Sequence, residues 1–421
     1  MPKKFFMLAG ESSGDQHAAR LIAALKAREP GARFIGMGGR LMMEQGLQIV
    51  KDLEGMQVTG FWEVARQYGF FKRVFYDLLD RVKQEKPDAV ICIDYPGFNL
   101  RFAKEVHQLG IPILYYIVPQ VWAWKAARAK SMARFVDRCF CIFEFEPPFF
   151  ERYGLKTRFV GHPLVDLAES GTVGADSRRD AGAPTLQEAR NCLGLEQGSK
   201  IVGLFPGSRE NEIKHHLKPM IRALQLASQN NQNTIGWIAL PPDAPKAWRV
   251  TIEQMSGITR EQSSNPASGF HQNLVPVGYN LNQIKELEER GRRLPPCNLP
   301  ALAAAADFSV VKSGTSTLEA GLAGKPMCVL YKGSAVSYAI AHLLVNIPVF
   351  SLVNIVLGRY AVPELLQGDV NPERIAIEIR RGLFDEHYRE RQITALADLP
   401  NKLGGSGASD RTAMGILEFL N

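Results

Sequence analysis

FFMLAGESSGDQHAARLIAALKAR, residues 5–28, turns an apolar run into an amphipathic helix through a loop opened by Gly10 and closed by Gly14. Five apolar residues are strand length, and apolar residues after Asp15 recur at helical spacing. The same alternation continues outward from this stretch. Strands are expected at 33–36, 89–94, 113–117, 139–142 and 157–160, and helices at 15–28, 69–85, 100–109 and 124–135. AVICI at 89–93 is apolar without alternation, as in a parallel strand covered on both faces. Strand and helix in turn at this spacing predict a parallel sheet wound on both sides.

Between His162 and Thr185 the chain becomes polar and loses its apolar period, which predicts a linker. A second series follows, with strands at 201–205, 235–240, 308–312 and 327–331 and helices at 213–229 and 316–323. The expected division is a first domain over 1–165, a linker over 166–190, a second domain over 191–385, and terminal helices over 386–421 that pack back on the first. Two doubly wound α/β domains facing a cleft bind ligands at the carboxyl ends of their strands. Residues 279–300, with ELEERGRR inside them, read as a charged surface insertion.

The chain has 421 residues, enough for two full cores. Its six cysteines lack the spacing of a disulfide framework or a zinc cage. The apolar start is too short for a signal peptide core, and the stretch 334–357 is interrupted by His342, Asn346, Pro348 and Asn354, so no spanning helix is expected. Charge is unevenly spread. Residues 1–160 hold 24 Lys and Arg against 17 Asp and Glu, and the remainder holds 26 of each. The first half therefore suits an anionic surface or a phosphorylated substrate. Nucleic acid would use the same charge, but a neutral second half carrying an anion-binding turn does not need it.

FPGSRENEI, residues 205–213, joins an apolar strand to a helix. Its Ser208 and Arg209 suit a diphosphate, although an ordinary turn with a surface arginine has the same appearance. VKSGTSTLEAGLAGKPM, residues 311–327, repeats the arrangement. Gly314 lets a ligand approach the backbone, Thr315 and Ser316 offer hydroxyls, and Glu319 can accept from a ribose diol. The plain alternative is a capping box between Ser316 and Glu319. No Walker sequence is present. In the first half, Glu11, Ser12 and Ser13 sit at the mouth of the expected cleft, with Ser13 and Asp15 as candidate caps. Asp94, in IDYPGFN, ends a strand as a candidate general base or as a structural acid on the Pro96–Gly97 turn. His17 is a rival base, and His162 a cleft or hinge residue. VPQVWAWKAARAK at 118–130 and FWEVARQYGFFKRVFYDLL at 61–79 mix aromatics with basic residues, as membrane interfaces do.

Taken together and in order, GESSGD, IDYPGFN, VPQVWAWK, FVGHP, FPGSRENEI, SGTSTLEAGLAGKPM and SLVNIVLGRYAVPELLQ resemble the lipid-A-disaccharide synthase family, glycosyltransferase family 19. The resemblance implies a GT-B fold and an inverting, metal-independent sugar transfer that needs no cofactor. It implies UDP-2,3-diacylglucosamine as donor and 2,3-diacylglucosamine 1-phosphate as acceptor, giving a β-1,6-linked disaccharide 1-phosphate and UDP. A cytoplasmic enzyme peripheral on the anionic inner membrane of a Gram-negative bacterium is implied too, as is a homodimer. Asn354 and Arg359 match the family's donor-site string. Gly97 departs from the pattern I-D-x-P-D-F-N, whose second acid is a favoured base, so the role passes to Asp94 or Glu11. Other UDP-GlcNAc enzymes of the same fold, a 2-epimerase or a lipid-II-type transferase, would share the second domain.

Overall fold

The structure is a computed structural model that describes residues 2–53, 68–124, 126–169, 200–229, 234–240, 274–277, 299–333 and 349–421. The chain divides into two compact units, Met1–Asp166 with Leu403–Asn421, and Leu167–Lys402.

The first unit is built on β1 (Lys4–Ala9), α1 (Ser12–Arg28), β2 (Arg33–Gly38), α2 (Arg40–Glu44), β3 (Leu47–Asp52) and α3 (Tyr68–Glu85). It continues with β4 (Ala89–Ile93), α4 (Pro96–His107), β5 (Ile113–Tyr116), α5 (Val121–Trp124), α6 (Ala126–Met132), β6 (Arg138–Cys141), α7 (Glu146–Glu151), β7 (Thr157–Phe159) and α8 (Pro163–Glu169). The strands run in the order β3-β2-β1-β4-β5-β6-β7 and are parallel throughout. Phe6, Leu8, Val90, Cys92, Ile113 and Tyr115 place their side chains in one buried cluster with Leu78, Phe102 and Met132 of the covering helices.

The second unit contains β8 (Lys200–Phe205), α9 (Glu210–Ser228), β9 (Thr234–Ala239), β10 (Leu274–Val277), α10 (Leu299–Ala305), β11 (Phe308–Lys312), α11 (Ser316–Leu322) and β12 (Met327–Tyr331). It ends with α12 (Leu352–Leu357), β13 (Glu364–Leu366), α13 (Pro372–Phe384), α14 (Glu386–Leu396) and α15 (Leu399–Lys402). Its order is β10-β9-β8-β11-β12-β13, parallel except for the antiparallel edge strand β10. The last helix, α16 (Ala408–Leu420), belongs to the first unit, so the helices beyond residue 386 are shared between the two.

Register at the amino edges is pinned by a repeated device. An aspartate just ahead of one strand accepts an N–H from the first or second residue of its parallel neighbour. Asp88 takes Lys4 N–H at 2.7 Å, Asp137 takes Ile113 N–H at 2.7 Å, and Asp307 takes Ile201 N–H at 2.8 Å. These N–H groups would otherwise lack a ladder partner.

Several elements differ from expectation. β3, β10 and β13 lie at or next to sheet edges and were not expected from the sequence. The single helix expected at 124–135 starts earlier, as α5, and ends at Met132. α8 occupies the beginning of the stretch expected as linker. The remainder of that linker and the 279–300 insertion, except Leu299–Pro300 in α10, lie outside the described residues. Among the described residues no helix is long and apolar enough to cross a membrane.

Candidate active site

In a doubly wound sheet the ligand crevice opens where the connections leave two neighbouring strands in opposite directions. The strand order puts that point between β1 and β4 in the first unit and between β8 and β11 in the second. The loops that follow those four strands hold most of the residues singled out in the sequence.

At the first point, Ala9 of β1 is paired with Ile93 of β4, so Glu11 and Asp94 stand at adjacent strand ends. Glu11 is the N-cap of α1 with an extended backbone, and its carboxylate makes no capping bond. Asp94 and Tyr95 both take left-handed backbone angles, φ 43° and 49°, and Ile117 after β5 has φ 60°. Such positions cost on the order of 1–3 kcal/mol each and concentrate at functional sites. Here the surroundings hold them. The Asn99 amide of α4 donates to Leu8 O at 3.4 Å, Ile93 O at 3.2 Å and Asp94 O at 2.8 Å. Tyr115 Oη donates to Asp94 O at 2.7 Å. A Cβ on Gly10 would overlap the Tyr95 ring, which explains glycine directly after β1.

Burial, and then the neighbouring Glu11 carboxylate, push the Asp94 carboxyl up to about 6, against a lowering backbone hydrogen bond from Tyr95. The group is therefore ionised at neutral pH yet basic enough to take a proton, as a general base requires. His17 is a weaker candidate. Burial and then Arg20 bring its pKa down to about 4, and its buried Nδ1 has no hydrogen-bond partner among the described residues. His162 is lowered further, to about 3, by burial and then by His17, and its Nδ1 accepts from Leu164 N–H at 3.2 Å. Ser12 and Ser13 begin α1 and are exposed. Asp15 does cap a helix, but α2 instead of its own. Its carboxylate accepts from Gly39 N–H at 2.8 Å, Leu41 N–H at 3.1 Å and Met42 N–H at 3.0 Å.

At the second point, Ser208 and Arg209 are exposed at the start of α9. Their N–H groups are not free. Glu212 Oε2 accepts from Ser208 N–H at 3.1 Å and from Arg209 N–H at 3.3 Å. The other carboxylate oxygen accepts from Lys312 Nζ of β11 at 2.6 Å. Burial alone would raise the Glu212 carboxyl, but Lys312 and the two N–H donors bring it below its usual value. His216 donates through Nδ1 to Glu212 O at 2.6 Å and accepts Lys332 N–H on Nε2 at 3.1 Å, an arrangement that fixes its tautomer.

Gly314 and Thr315 follow β11, and Ser316 opens α11. The N-cap is Thr315, with no side-chain capping bond, so the Ser316–Glu319 capping box does not form. Among the described residues the Glu319 carboxyl has no hydrogen-bond partner, and burial pushes it up to about 7. It is the one acid of this loop left for a ligand hydroxyl.

Asn354 and Arg359 were expected at the nucleotide, and in the structure both side chains hold partners within the second unit. Asn354 is fully buried. Its amide donates to Val362 O at 2.9 Å and Glu364 Oε1 at 2.7 Å, and its oxygen accepts from Ala361 N–H at 2.9 Å and Val362 N–H at 3.1 Å. Every polar valence is spent on holding the segment 361–364. Arg359 donates to Ala395 O of α14 at 3.0 Å, and Gln392 of the same helix binds the N–H of Met327, the first residue of β12. Arg359 thus lies toward the end where β12 begins, lining an open depression of about 730 Å³ with His387, Glu390, Arg391 and Thr394.

The aromatic stretches are also partly structural. Trp122 donates its indole N–H to Glu146 Oε1 at 3.1 Å, and its ring meets Phe145 edge-on at 4.9 Å. Phe70, Phe71 and Phe75 of α3 pack on the core, leaving Tyr76 exposed. Residues 61–67 and Lys125 lie outside the described residues. Sequence reasoning missed Asn99, Glu212 and Lys312, all inside quoted strings. Their partners are distant in sequence, so no local pattern marks them.

Two α/β units of this topology define the GT-B class. The whole chain superposes on UDP-GlcNAc 2-epimerase from Neisseria meningitidis bound to UDP-GlcNAc with a TM-score of 0.62 at 14% identity, covering 99% of this chain and 100% of that one. The calicheamicin glycosyltransferase CalG4 gives a TM-score of 0.51 at 14% identity over 99% and 98%. These likenesses concern the fold. Residues 5–262 and 295–407 match the profile of the lipid-A-disaccharide synthetase family. The lipid-A-disaccharide synthase of Myxococcus xanthus is 35% identical over 100% of this chain and 98% of its own length. That of Syntrophus aciditrophicus is 37% identical over 99% and 98%. The chain belongs to the lipid-A-disaccharide synthetase family and is a glycosyltransferase.

Proposed function

We propose that this enzyme joins UDP-2,3-diacylglucosamine to 2,3-diacylglucosamine 1-phosphate, forming a β-1,6-linked disaccharide 1-phosphate and UDP. Family membership over the full chain supports the reaction, and the partly buried Asp94 carboxyl beside Glu11 is the observation that carries the mechanism. Asp94 takes the proton from the acceptor 6-hydroxyl as its oxygen attacks the donor C1. The C1–oxygen bond to UDP breaks on the opposite face, and the configuration inverts. Positioned proton transfer of this kind contributes about 10²–10⁴-fold.

Glu319 binds the ribose diol in this reading, since burial and the lack of a partner among the described residues leave its carboxyl waiting for a hydroxyl. Ser208 and Arg209 stand beside the diphosphate, and Ser12 and Ser13 beside the acceptor. Asn354 acts by shaping its loop without touching the nucleotide. Each acyl chain ties the substrates to a bilayer, so the enzyme works as a peripheral protein on an anionic surface. Support comes from the positive excess of residues 1–160 and from α3, where Lys72, Arg73 and Tyr76 are exposed on one face. Partnership with a second copy of the chain rests on the family resemblance alone.

The test is turnover by wild type and Asp94→Asn with both lipid substrates in detergent. A loss of 100-fold or more, with UDP affinity kept, supports the mechanism. Near-full turnover by Asp94→Asn removes Asp94 as the base.

A further inference from the structure

β8 and β11 are adjacent parallel strands, and the residues at their carboxyl ends meet through one ion pair. Lys312, the last residue of β11, lies 2.6 Å from Glu212 in the first turn of α9. Both side chains are largely withdrawn from water, with 18% and 20% of their surface exposed. This differs from the exposed ion pairs of the molecule, such as Lys214 with Glu210, at 60% and 61%. Exposed pairs add little, whereas a half-buried pair at a strand end fixes the place of its charge.

Three features make the place specific. An ammonium has three N–H donors, and among the described residues Glu212 takes only one of them. Glu212 cannot easily give way, because its second oxygen is held by the N–H groups of Ser208 and Arg209. Gly314, two residues beyond Lys312, lies beside the ammonium: a Cβ there would stand 3.7 Å from Nζ, and, its chain neighbours aside, no other atom of the described residues would come within 4 Å of it. A phosphate oxygen can approach Lys312 through that space. By contrast, Arg209 offers the exposed cation of the FPGSR turn, and its backbone N–H is already committed.

We infer that Lys312 is a donor-site residue that contacts the diphosphate of the bound nucleotide and stabilises the charge growing on it as the sugar leaves. Glu212 is the positioning residue that keeps the ammonium over Gly314. The inference rests on the nucleotide-donor reading given above. A preorganised cation at a departing diphosphate is worth more in the transition state than in the ground state, because the leaving oxygen gains charge. Lys312 therefore affects turnover as well as affinity.

Calorimetric titration of UDP and of uridine into the full-length wild type, Lys312→Gln and Lys312→Arg tests this. Uridine carries the base and ribose without phosphate, so it reports whether the rest of the site is intact. The expected result is a loss of about 10–100-fold in UDP affinity for Lys312→Gln, with uridine affinity unchanged and UDP binding partly restored in Lys312→Arg. The wild-type dependence of UDP affinity on salt should also flatten in Lys312→Gln. UDP binding by Lys312→Gln within twofold of wild type overturns the inference while leaving the donor reading intact. Equal losses for UDP and uridine overturn it too, as they indicate a structural role. Folded wild type that fails to bind UDP overturns both the inference and the donor reading.

Discussion

At neutral pH the Asp94 carboxylate carries a charge that its surroundings disfavour. Its pKa is raised from an unfolded value near 3.8 to about 6, first by burial and then by Glu11. The folded protein therefore binds the extra proton between those values. Stability from this group is present below about pH 4 and is lost as pH rises through 6. Two pKa units correspond to roughly 3 kcal/mol, which the ionised residue costs the fold above pH 7. Asp94→Asn should thus raise the thermal midpoint at pH 7.5, leave it nearly unchanged at pH 4, and abolish turnover. Melts at the two pH values check this, and equal shifts at both would show that the charge is not the cause. In wild type, kcat/KM should fall on the acid side with an apparent pKa near 6. The places of Asp94 and Glu11 were legible from the sequence because each stands within two residues of the end of a clean apolar strand. Asn99 was not, because its three carbonyl partners come from two strands and a turn that only the fold brings together.

Elements that repeat a strong pattern were read correctly, and those defined by a neighbour were not. β1, β4 and β8 are apolar runs bounded by turns, and their ends differ from expectation by a residue or so. LQIVKD in β3 is half-exposed at the sheet edge, and ELL in β13 is too short to show any period. The same limit affected α12. In SLVNIVLGRY the asparagine looks like a ligand residue, and nothing local shows that its amide also holds Ala361 and Glu364. Asn354→Ala leaves the half-buried Ala361 and buried Val362 N–H groups unpaired, and we expect a loss of roughly 2–4 kcal/mol in stability. UDP affinity below the melting range should stay within a few-fold of wild type. A large affinity loss with unchanged stability would restore Asn354 as a direct contact. In the first unit, Glu146 ties α5 to the loop after β6 by accepting from Trp122, Ile142 and Phe143. That tie accounts for one of the two tryptophans without a membrane.

On the scale of the molecule, the last helix completes the first unit from the far end of the chain. Arg411 of α16 donates to Val160 O at 2.7 Å, Gly404 O at 3.0 Å and Gly405 O at 3.2 Å, and His162 N–H donates to Leu403 O at 2.7 Å. Gly161 and Gly404 cross so closely that a Cβ on either would press on the other segment. Arg411→Ala removes the donor that several carbonyls share. It should lower the thermal midpoint by several degrees, as expected for about 2 kcal/mol in a unit of this size. An unchanged midpoint would mean that helix packing alone holds the terminus. The sequence showed two α/β domains through alternation, and of the terminal helices expected to pack back on the first it is α16 alone that does so. The site itself was half visible. Its loops follow strands that the sequence displays, whereas the pairing of Lys312 with Glu212 depends on a strand order that it does not.

The decisive experiment is an assay of the purified full-length protein with UDP-2,3-diacylglucosamine and 2,3-diacylglucosamine 1-phosphate in detergent, with EDTA present. UDP and disaccharide are followed together by mass spectrometry. The expected result is equimolar UDP and disaccharide 1-phosphate, insensitive to EDTA and lost in Asp94→Asn. Folded, UDP-binding protein that makes no disaccharide, or that epimerises UDP-GlcNAc with no acceptor present, would contradict the proposed reaction.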